Sequence, residues 1–158
     1  IVYPVHPNPN VRIPAEEILE GIENISLIQP LDYQDLVAVM KECRFVLTDS
    51  GGLQEEAPTL GKPVVVLRES TERPEAVKAG SAFLVGHRHE LILEKMSQLT
   101  VEDSITYRTM SRKSFPYGSG DAGEKIVSIL ESEYGEHLNW KGEPGFFPSL
   151  PESHLRVH

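Results

Sequence analysis

The sequence predicts an α/β fold, in which helices flank a Rossmann-like parallel sheet. Short apolar runs that are rich in β-branched residues alternate with segments of helical periodicity. One run, at residues 64–67, is apolar at all four positions, as in strands that are covered on both faces. This alternation is typical of doubly wound parallel sheets, and five strands match one mononucleotide-binding half of such a domain.

The five strands are predicted from apolar runs that glycine, proline or polar residues separate. They lie at residues 1–5, 25–29, 45–48, 64–67 and 82–85. Residues 6–10 are predicted to form a loop, because Pro7 and Pro9 disfavour a helix there. Residues 49–52 are predicted to form a turn.

The helices are predicted from apolar positions at helical spacing and from residues that begin or end helices. Pro14 and the acidic residues after it begin the first helix, and Asp32 is positioned to cap the second. The predicted helices lie at residues 14–20, 33–42, 53–60, 75–79, 89–99, 102–113 and 122–134.

Charge and composition limit the classes of function. The 158 residues carry a formal net charge of −9, which disfavours nucleic acid as a partner. The single cysteine, Cys43, excludes an internal disulfide framework and, with the absence of a signal pattern, favours a cytoplasmic location. No apolar run approaches the ~18 residues of a membrane span, so no membrane contact is expected.

Two features of the chain ends predict its organisation. The sequence opens without Met, inside a predicted strand, so we expect a domain of a longer protein. Residues 1–134 are predicted to form that domain. Residues 135–158 contain three prolines and no periodicity, and we interpret them as a tail that packs on another surface or stays mobile.

The most informative motif lies at residues 45–57, where a buried strand, two glycines and a helix follow one another. Gly51 and Gly52 allow a ligand to approach the backbone closely, and the helix N-terminus adds free N–H donors. Ser50 adds a hydroxyl. These features are typical of a phosphate site, although a strand–turn–helix with a serine cap has the same pattern.

A second motif follows the strand at residues 64–67, at the same edge of the sheet. Its Arg73 has the geometry to clamp a diphosphate, or else to pair with glutamates in a solvated loop. His6 also follows a strand at this edge, and it is either a ligand donor, an acid or base, or a structural residue. Glu55 and Glu56 are either helix-dipole partners or ligands for ribose hydroxyls.

Three other patterns fail their context tests. Residues 118–123 match the letters of a dinucleotide fingerprint, but a helix rather than a strand precedes them. Gly61 and Lys62 suggest a P-loop, but Pro63 stands where the motif needs Ser or Thr. The pair His87 and His89 lacks further ligands, so no metal site is predicted.

Several motifs together resemble one family, the UDP-N-acetylglucosamine 2-epimerases of the non-hydrolysing bacterial type. The resemblance covers residues 1–130. It is carried by residues 3–11 (YPVHPNPNV), 30–33 (PLDY), 48–58 (TDSGGLQEEAP), 61–63 (GKP), 71–75 (TERPE) and 116–118 (PYG).

The resemblance implies the C-terminal half of a two-domain fold of the glycosyltransferase-B type, with the active site in the cleft between the halves. It assigns the diphosphate to Ser50, Gly51 and Gly52 and the ribose to Glu56. Arg73 would lie near the diphosphate and the sugar. The segment from Leu31 to Leu36 would border the uracil, and His6 would face the cleft.

The family reaction is an inversion at C2 of the sugar, by elimination of UDP and its re-addition on the other face. The resemblance places the acid/base carboxylates in an N-terminal half that this chain lacks, so no catalytic residue is assigned here. It implies UDP or a UDP-sugar as ligand, no cofactor, the missing N-terminal domain as partner and a possible homodimer.

Two departures from the family pattern affect the site. An aromatic residue usually stands at the position of Leu36, which predicts weaker stacking on uracil. Phe115 and Ser119 also differ from the usual late loop. Two alternative functions stay open at this point: a non-catalytic nucleotide-sugar binding module, and half of a UDP-dependent glycosyltransferase.

Overall fold

A computed structural model describes residues 1–138, with side chains described as far as residue 133. The strands are β1 (Val2–Pro4), β2 (Ser26–Ile28), β3 (Val46–Thr48), β4 (Val64–Val66) and β5 (Ala82–Leu84). The helices are α1 (Pro9–Leu19), α2 (Tyr33–Glu42), α3 (Gly51–Thr59), α4 (Pro74–Lys78), α5 (His89–Thr100), α6 (Ile105–Met110) and α7 (Ala122–Leu138).

The pairings among the described strands are parallel, as the alternation of strands and helices predicts. Hydrogen bonds join the strands in two groups, the pair β1–β2 and the trio β3–β4–β5 with β4 in the centre. In the trio, Thr48 at the end of β3 is in register with Val66 at the end of β4. The polypeptide therefore leaves both strands at the same edge of the sheet.

Helices cover both faces of the trio. Successive side chains of β4 point to opposite faces of the sheet, and each face packs against its own set of helices. Val64 and Val66 pack in one cluster with Met40 of α2, Ala57 of α3 and Ala76 of α4. Val65 packs in the other with residues of α5 and α6, among which Leu99 is fully buried. The predicted fold class, a parallel sheet flanked by helices, is confirmed.

The first helix begins earlier than predicted. The Asn8 side chain caps α1 by accepting a hydrogen bond from the Asn10 backbone N–H at 2.9 Å. Pro9 then takes the first helical position. A backbone N–H there would have no partner within the helix, so its absence in proline costs no hydrogen bond. The prediction that residues 9 and 10 belong to a loop was therefore wrong, because the first turn of a helix accepts proline without loss of a hydrogen bond. Pro14 lies within the helix.

Three further boundaries differ from the predictions. α3 begins at Gly51 rather than at residue 53, so the two glycines form its first turn. α6 is shorter than predicted, because Ser104 caps it and Asp103 before it has a positive φ of 61°. α7 continues to Leu138, into the predicted tail, and residues 139–158 of that tail lie outside the described residues.

The described chain divides into two compact units. The first comprises Ile1–Tyr117 and contains both groups of strands, and the second begins at Gly118 and contains α7. None of the described helices is long and apolar enough to cross a membrane.

Candidate functional site

Two loops meet at the edge of the sheet where β3 and β4 end. The backbone N–H of Leu67, after β4, donates to the carbonyl of Thr48 at 2.9 Å. The first loop leads through Ser50 into α3, and the second leads through Thr71 and Arg73 into α4. This arrangement brings together five of the residues that the sequence assigned to the site: Ser50, Gly51, Gly52, Glu56 and Arg73.

The start of α3 has hydrogen-bond donors without partners in the helix. Ser50 is the exposed N-cap residue, and its hydroxyl makes no capping hydrogen bond. Its backbone N–H donates to the buried hydroxyl of Thr48 at 2.9 Å, which fixes the turn. The N–H groups of the first helical turn lack intrahelical partners and carry partial positive charge, so they favour a negatively charged ligand.

Gly51 leaves room for the close approach of Arg73, and its backbone conformation is not unusual. Neither Gly51 nor Gly52 has a positive φ. A Cβ atom added to Gly51 would lie 2.7 Å from Nη1 and 2.8 Å from Cζ of Arg73. A guanidinium thus lies directly over the first residue of α3, where it adds a full positive charge to that of the helix terminus.

Arg73 is held in place by carboxylates. Its Nε donates to Oε1 of Glu55 in an ion pair, and its Nη1 lies 3.3 Å from a carboxylate oxygen of Glu72. The hydrogen bond to Glu55 raises the pKa of Arg73 above its ordinary value. The expected pairing with glutamates is therefore present, and the guanidinium also points to the glycine turn, while the clamp on a diphosphate stays a prediction.

Glu56 lies one helical turn beyond the glycines. Its Oε1 is 3.6 Å from where a Cβ of Gly52 would be. Its Oε2 is buried and has no hydrogen-bond partner among the described residues. A buried acceptor without a partner is costly, so this oxygen is suited to accept a hydrogen bond from a ligand hydroxyl.

Three residues at the site were missed in the sequence, and two of them, Gln54 and Thr71, connect the two loops. Gln54 is 1% exposed, donates to the carbonyl of Ser50 at 3.1 Å and accepts from the Thr71 hydroxyl at 2.7 Å. The hydroxyl of Thr71 in turn accepts from the backbone N–H of Arg73 at 3.0 Å. In the sequence Gln54 stands between Leu53 and Glu55, so no local signal distinguishes it from the exposed polar residues of a helix start.

Tyr117 is the third of these residues, and it binds the Arg73 loop and α4 although it lies 44 residues beyond Arg73. Its hydroxyl donates to the carbonyl of Arg73 at 3.1 Å and accepts from the N–H of Ala76 at 3.4 Å. Burial raises the pKa of Tyr117, so its hydroxyl stays protonated and able to donate. Tyr117 of the motif at residues 116–118, whose role the resemblance left open, thus contacts the Arg73 loop.

The other predicted residues lie elsewhere on the same unit. His6 is exposed after β1, and its Nδ1 accepts from the backbone N–H of Asn8 at 3.2 Å. Leu31 is half-buried immediately before α2. Leu36 packs at the border of the apolar cluster that includes Ala57 of α3. Leu36 is thereby connected to the glycine turn through α3.

An open cleft of about 450 Å³ borders the site, between the two loops and the end of β5. It is lined by polar and charged residues, among them Asp49, Arg68, Glu69 and His87. Gly86, with φ of +63°, makes room for the carboxylate of Glu69, which accepts a hydrogen bond from the N–H of His87 at 3.2 Å. Among the described residues, no cluster of three or more His, Cys, Asp or Glu side chains is arranged to hold a metal ion.

Comparison with known proteins identifies the family of this fold and site. Residues 1–131 match the family model for UDP-N-acetylglucosamine 2-epimerase. A probable UDP-N-acetylglucosamine 2-epimerase of Ralstonia nicotianae is 51% identical over 134 residues, which are 85% of this chain and 36% of the relative. The chain thus spans about a third of the length of the curated relatives that it matches.

Solved structures of similar fold belong to the same family. The UDP-GlcNAc 2-epimerase of Neisseria meningitidis, bound to UDP-GlcNAc, superimposes with a TM-score of 0.77 at 47% identity, over 83% of this chain and 35% of that one. The S. aureus protein MnaA, in a co-structure with UDP, has a TM-score of 0.77 at 44% identity, over 93% of this chain and 39% of that one. The family expected from the motifs is confirmed: this chain belongs to the UDP-N-acetylglucosamine 2-epimerase family.

Proposed function

We propose that this chain is the UDP-binding half of a UDP-N-acetylglucosamine 2-epimerase, with the C-terminal half of a glycosyltransferase-B type fold. The observation that carries the proposal is the guanidinium of Arg73 over Gly51 at the start of α3. A full positive charge and the free N–H groups of a helix terminus converge on one point, which suits a diphosphate. Relatives of similar structure are described as bound to UDP-GlcNAc or UDP.

The rest of the nucleotide follows from the neighbouring residues. We assign the ribose to Glu56, since its Oε2 lacks a partner and a ribose hydroxyl would supply one. We assign the uracil to the segment from Leu31 to Leu36. Leu36 offers an apolar contact rather than an aromatic face, and a smaller contribution from the base is expected.

The role of this half in the reaction is to bind UDP and to stabilise it as a leaving group. When the bond to C1 of the sugar breaks, negative charge accumulates on the diphosphate, next to Arg73 and the start of α3. Positive groups fixed at that point lower the free energy of the transition state. The proton at C2 is removed and returned by groups that we assign to the N-terminal half, with His6 facing the cleft between the halves.

The proposal defines the partners. The 158-residue chain needs an N-terminal half for turnover, and the completed protein is a candidate homodimer. It needs no cofactor in this scheme. A cytoplasmic location stays a prediction.

A calorimetric titration of the 158-residue chain with UDP, with GDP as the control, tests the binding function. We expect saturable binding of UDP with a Kd of about 1 mM or tighter, which corresponds to about −4 kcal/mol, and much weaker binding of GDP. A folded chain that binds neither nucleotide, or binds both equally, would contradict the proposal. The activity is tested by adding the N-terminal half of a relative, and absence of any UDP-ManNAc from UDP-GlcNAc would contradict the epimerase role.

A further inference from the structure

The two loops are joined by a chain of three hydrogen bonds, in which each donor and each acceptor can be assigned in only one way. The backbone N–H of Arg73 can only donate, and it donates to the Thr71 hydroxyl. That hydroxyl donates its own hydrogen to Oε1 of Gln54, at 2.7 Å. The amide nitrogen of Gln54 then donates to the carbonyl of Ser50, which can only accept, at 3.1 Å.

This direction determines which side chains fit at the two central positions. Position 71 requires a group that donates and accepts at once, which a hydroxyl does and an aliphatic side chain does not. Position 54 requires an acceptor toward Thr71 and a donor toward Ser50. A glutamate there, like its neighbours Glu55 and Glu56, could accept from Thr71, but it would place an acceptor against the carbonyl of Ser50 and bury a negative charge.

The two ends of this hydrogen-bond chain lie in the two loops that form the proposed anion site. One end is the carbonyl of Ser50, the N-cap residue of α3. The other is the backbone of Arg73, the N-cap residue of α4, whose side chain makes no capping hydrogen bond. The side chain of Arg73 is therefore available to extend toward Gly51 and Glu55 instead.

We propose that Gln54 and Thr71 are positioning residues that hold the backbone of Arg73 in register with the glycine turn, so that its guanidinium lies over Gly51. This inference rests on the proposed function, because the ligand that benefits is the diphosphate of UDP. Gln54 is fully buried, so it acts through Ser50 and Thr71 rather than by touching the ligand. Charged hydrogen bonds weaken steeply when their geometry is lost, which is why the position of Arg73 matters.

The test compares Thr71→Val, which keeps the shape but removes the hydroxyl, with Thr71→Ser, which keeps the hydroxyl. Each variant of the 158-residue chain is titrated by NMR with UDP and with uridine, which lacks the phosphates. We expect Thr71→Val to weaken UDP binding about tenfold and to leave uridine binding unchanged. Thr71→Ser should bind UDP within about threefold of the wild type.

A second measurement reports the position of Arg73 without any ligand. The Nε–H signal of Arg73, identified by its loss in Arg73→Lys, should shift or broaden in Thr71→Val and stay in place in Thr71→Ser. An unmoved signal in Thr71→Val, or equal losses of UDP and uridine affinity, would overturn the positioning role. If the wild type binds no UDP, the proposed function fails, and the Nε–H signal still decides whether Thr71 positions Arg73.

Discussion

The three-stranded and the two-stranded sheets of this chain differ in how well they are covered. Val64, Val65 and Val66 of β4 are fully buried between helices on both faces. In the other sheet, Val2 of β1 is half exposed, and Ile18 of the adjoining α1 is 70% exposed. The glycine turn and the Arg73 loop leave the well-covered sheet, whereas His6 and Leu31 follow the strands of the other.

The two parts of the proposed ligand site therefore lie on regions that we expect to differ in their resistance to unfolding. Hydrophobic stabilisation increases with the apolar area that is removed from water, so the β3–β4–β5 region should be the more resistant to local opening. The groups proposed to bind the diphosphate therefore rest on a packed core. The groups proposed to face the cleft rest on elements with apolar side chains still exposed.

The largest expected effect tests this comparison directly. Leu99→Ala removes a fully buried side chain that packs with Val65 of β4, and should lower the free energy of unfolding by about 2–5 kcal/mol. The matched control, Ile18→Ala, removes an exposed apolar side chain from α1 and should change it by less than about 0.5 kcal/mol. Urea denaturation followed by circular dichroism measures both. Equal losses would mean that the two regions are equally packed.

The next effect concerns binding. Arg73→Ala should weaken UDP binding by about 1.5–3 kcal/mol, because it removes a charged donor from the start of α3. Arg12→Ala is the matched control, since Arg12 of α1 also pairs with a glutamate, Glu16, at 2.9 Å. The control should leave UDP affinity unchanged. A loss below about 0.5 kcal/mol for Arg73→Ala would mean that Arg73 does not contact the phosphates.

Much of the well-covered region, and the placing of both loops at its edge, could be predicted from local sequence. The apolar run at residues 64–67 predicts a central buried strand, and Asp32 predicts the start of α2, where its Oδ1 accepts from the N–H of Asp35 at 2.9 Å. That both loops leave one sheet edge follows from parallel strands alone. The sequence alone could accordingly predict that Gly51 and Arg73 lie close together.

The partners of these residues could not be predicted, because they depend on tertiary packing. Glu55 and Glu56 are neighbours in sequence, yet one pairs with Arg73 and the other has a buried oxygen without a partner. Helical periodicity does not distinguish them. The bond between Gln54 and Thr71 spans 17 residues, and the position of its two ends becomes defined only once α3 and the Arg73 loop are packed.

The smallest effect concerns Tyr117, which joins a distant loop to the well-covered region. Its hydroxyl satisfies the N–H of Ala76, an unpaired donor in the first turn of α4, and the carbonyl of Arg73. Tyr117→Phe should therefore lower the free energy of unfolding by about 0.5–1.5 kcal/mol. It should also weaken UDP binding by less than Arg73→Ala does, because Thr71 still holds the Arg73 N–H.

The control for this change is Tyr3→Phe in β1, since the Tyr3 hydroxyl makes no hydrogen bond to any other described residue. Thermal and urea denaturation of the two variants should show a loss for Tyr117→Phe alone. Equal stability of both variants would place the hydroxyl of Tyr117 outside the network. The carbonyl of Arg73 would then be held by α4 itself, and the late loop would contribute only its ring to the apolar cluster around Val64 and Val66.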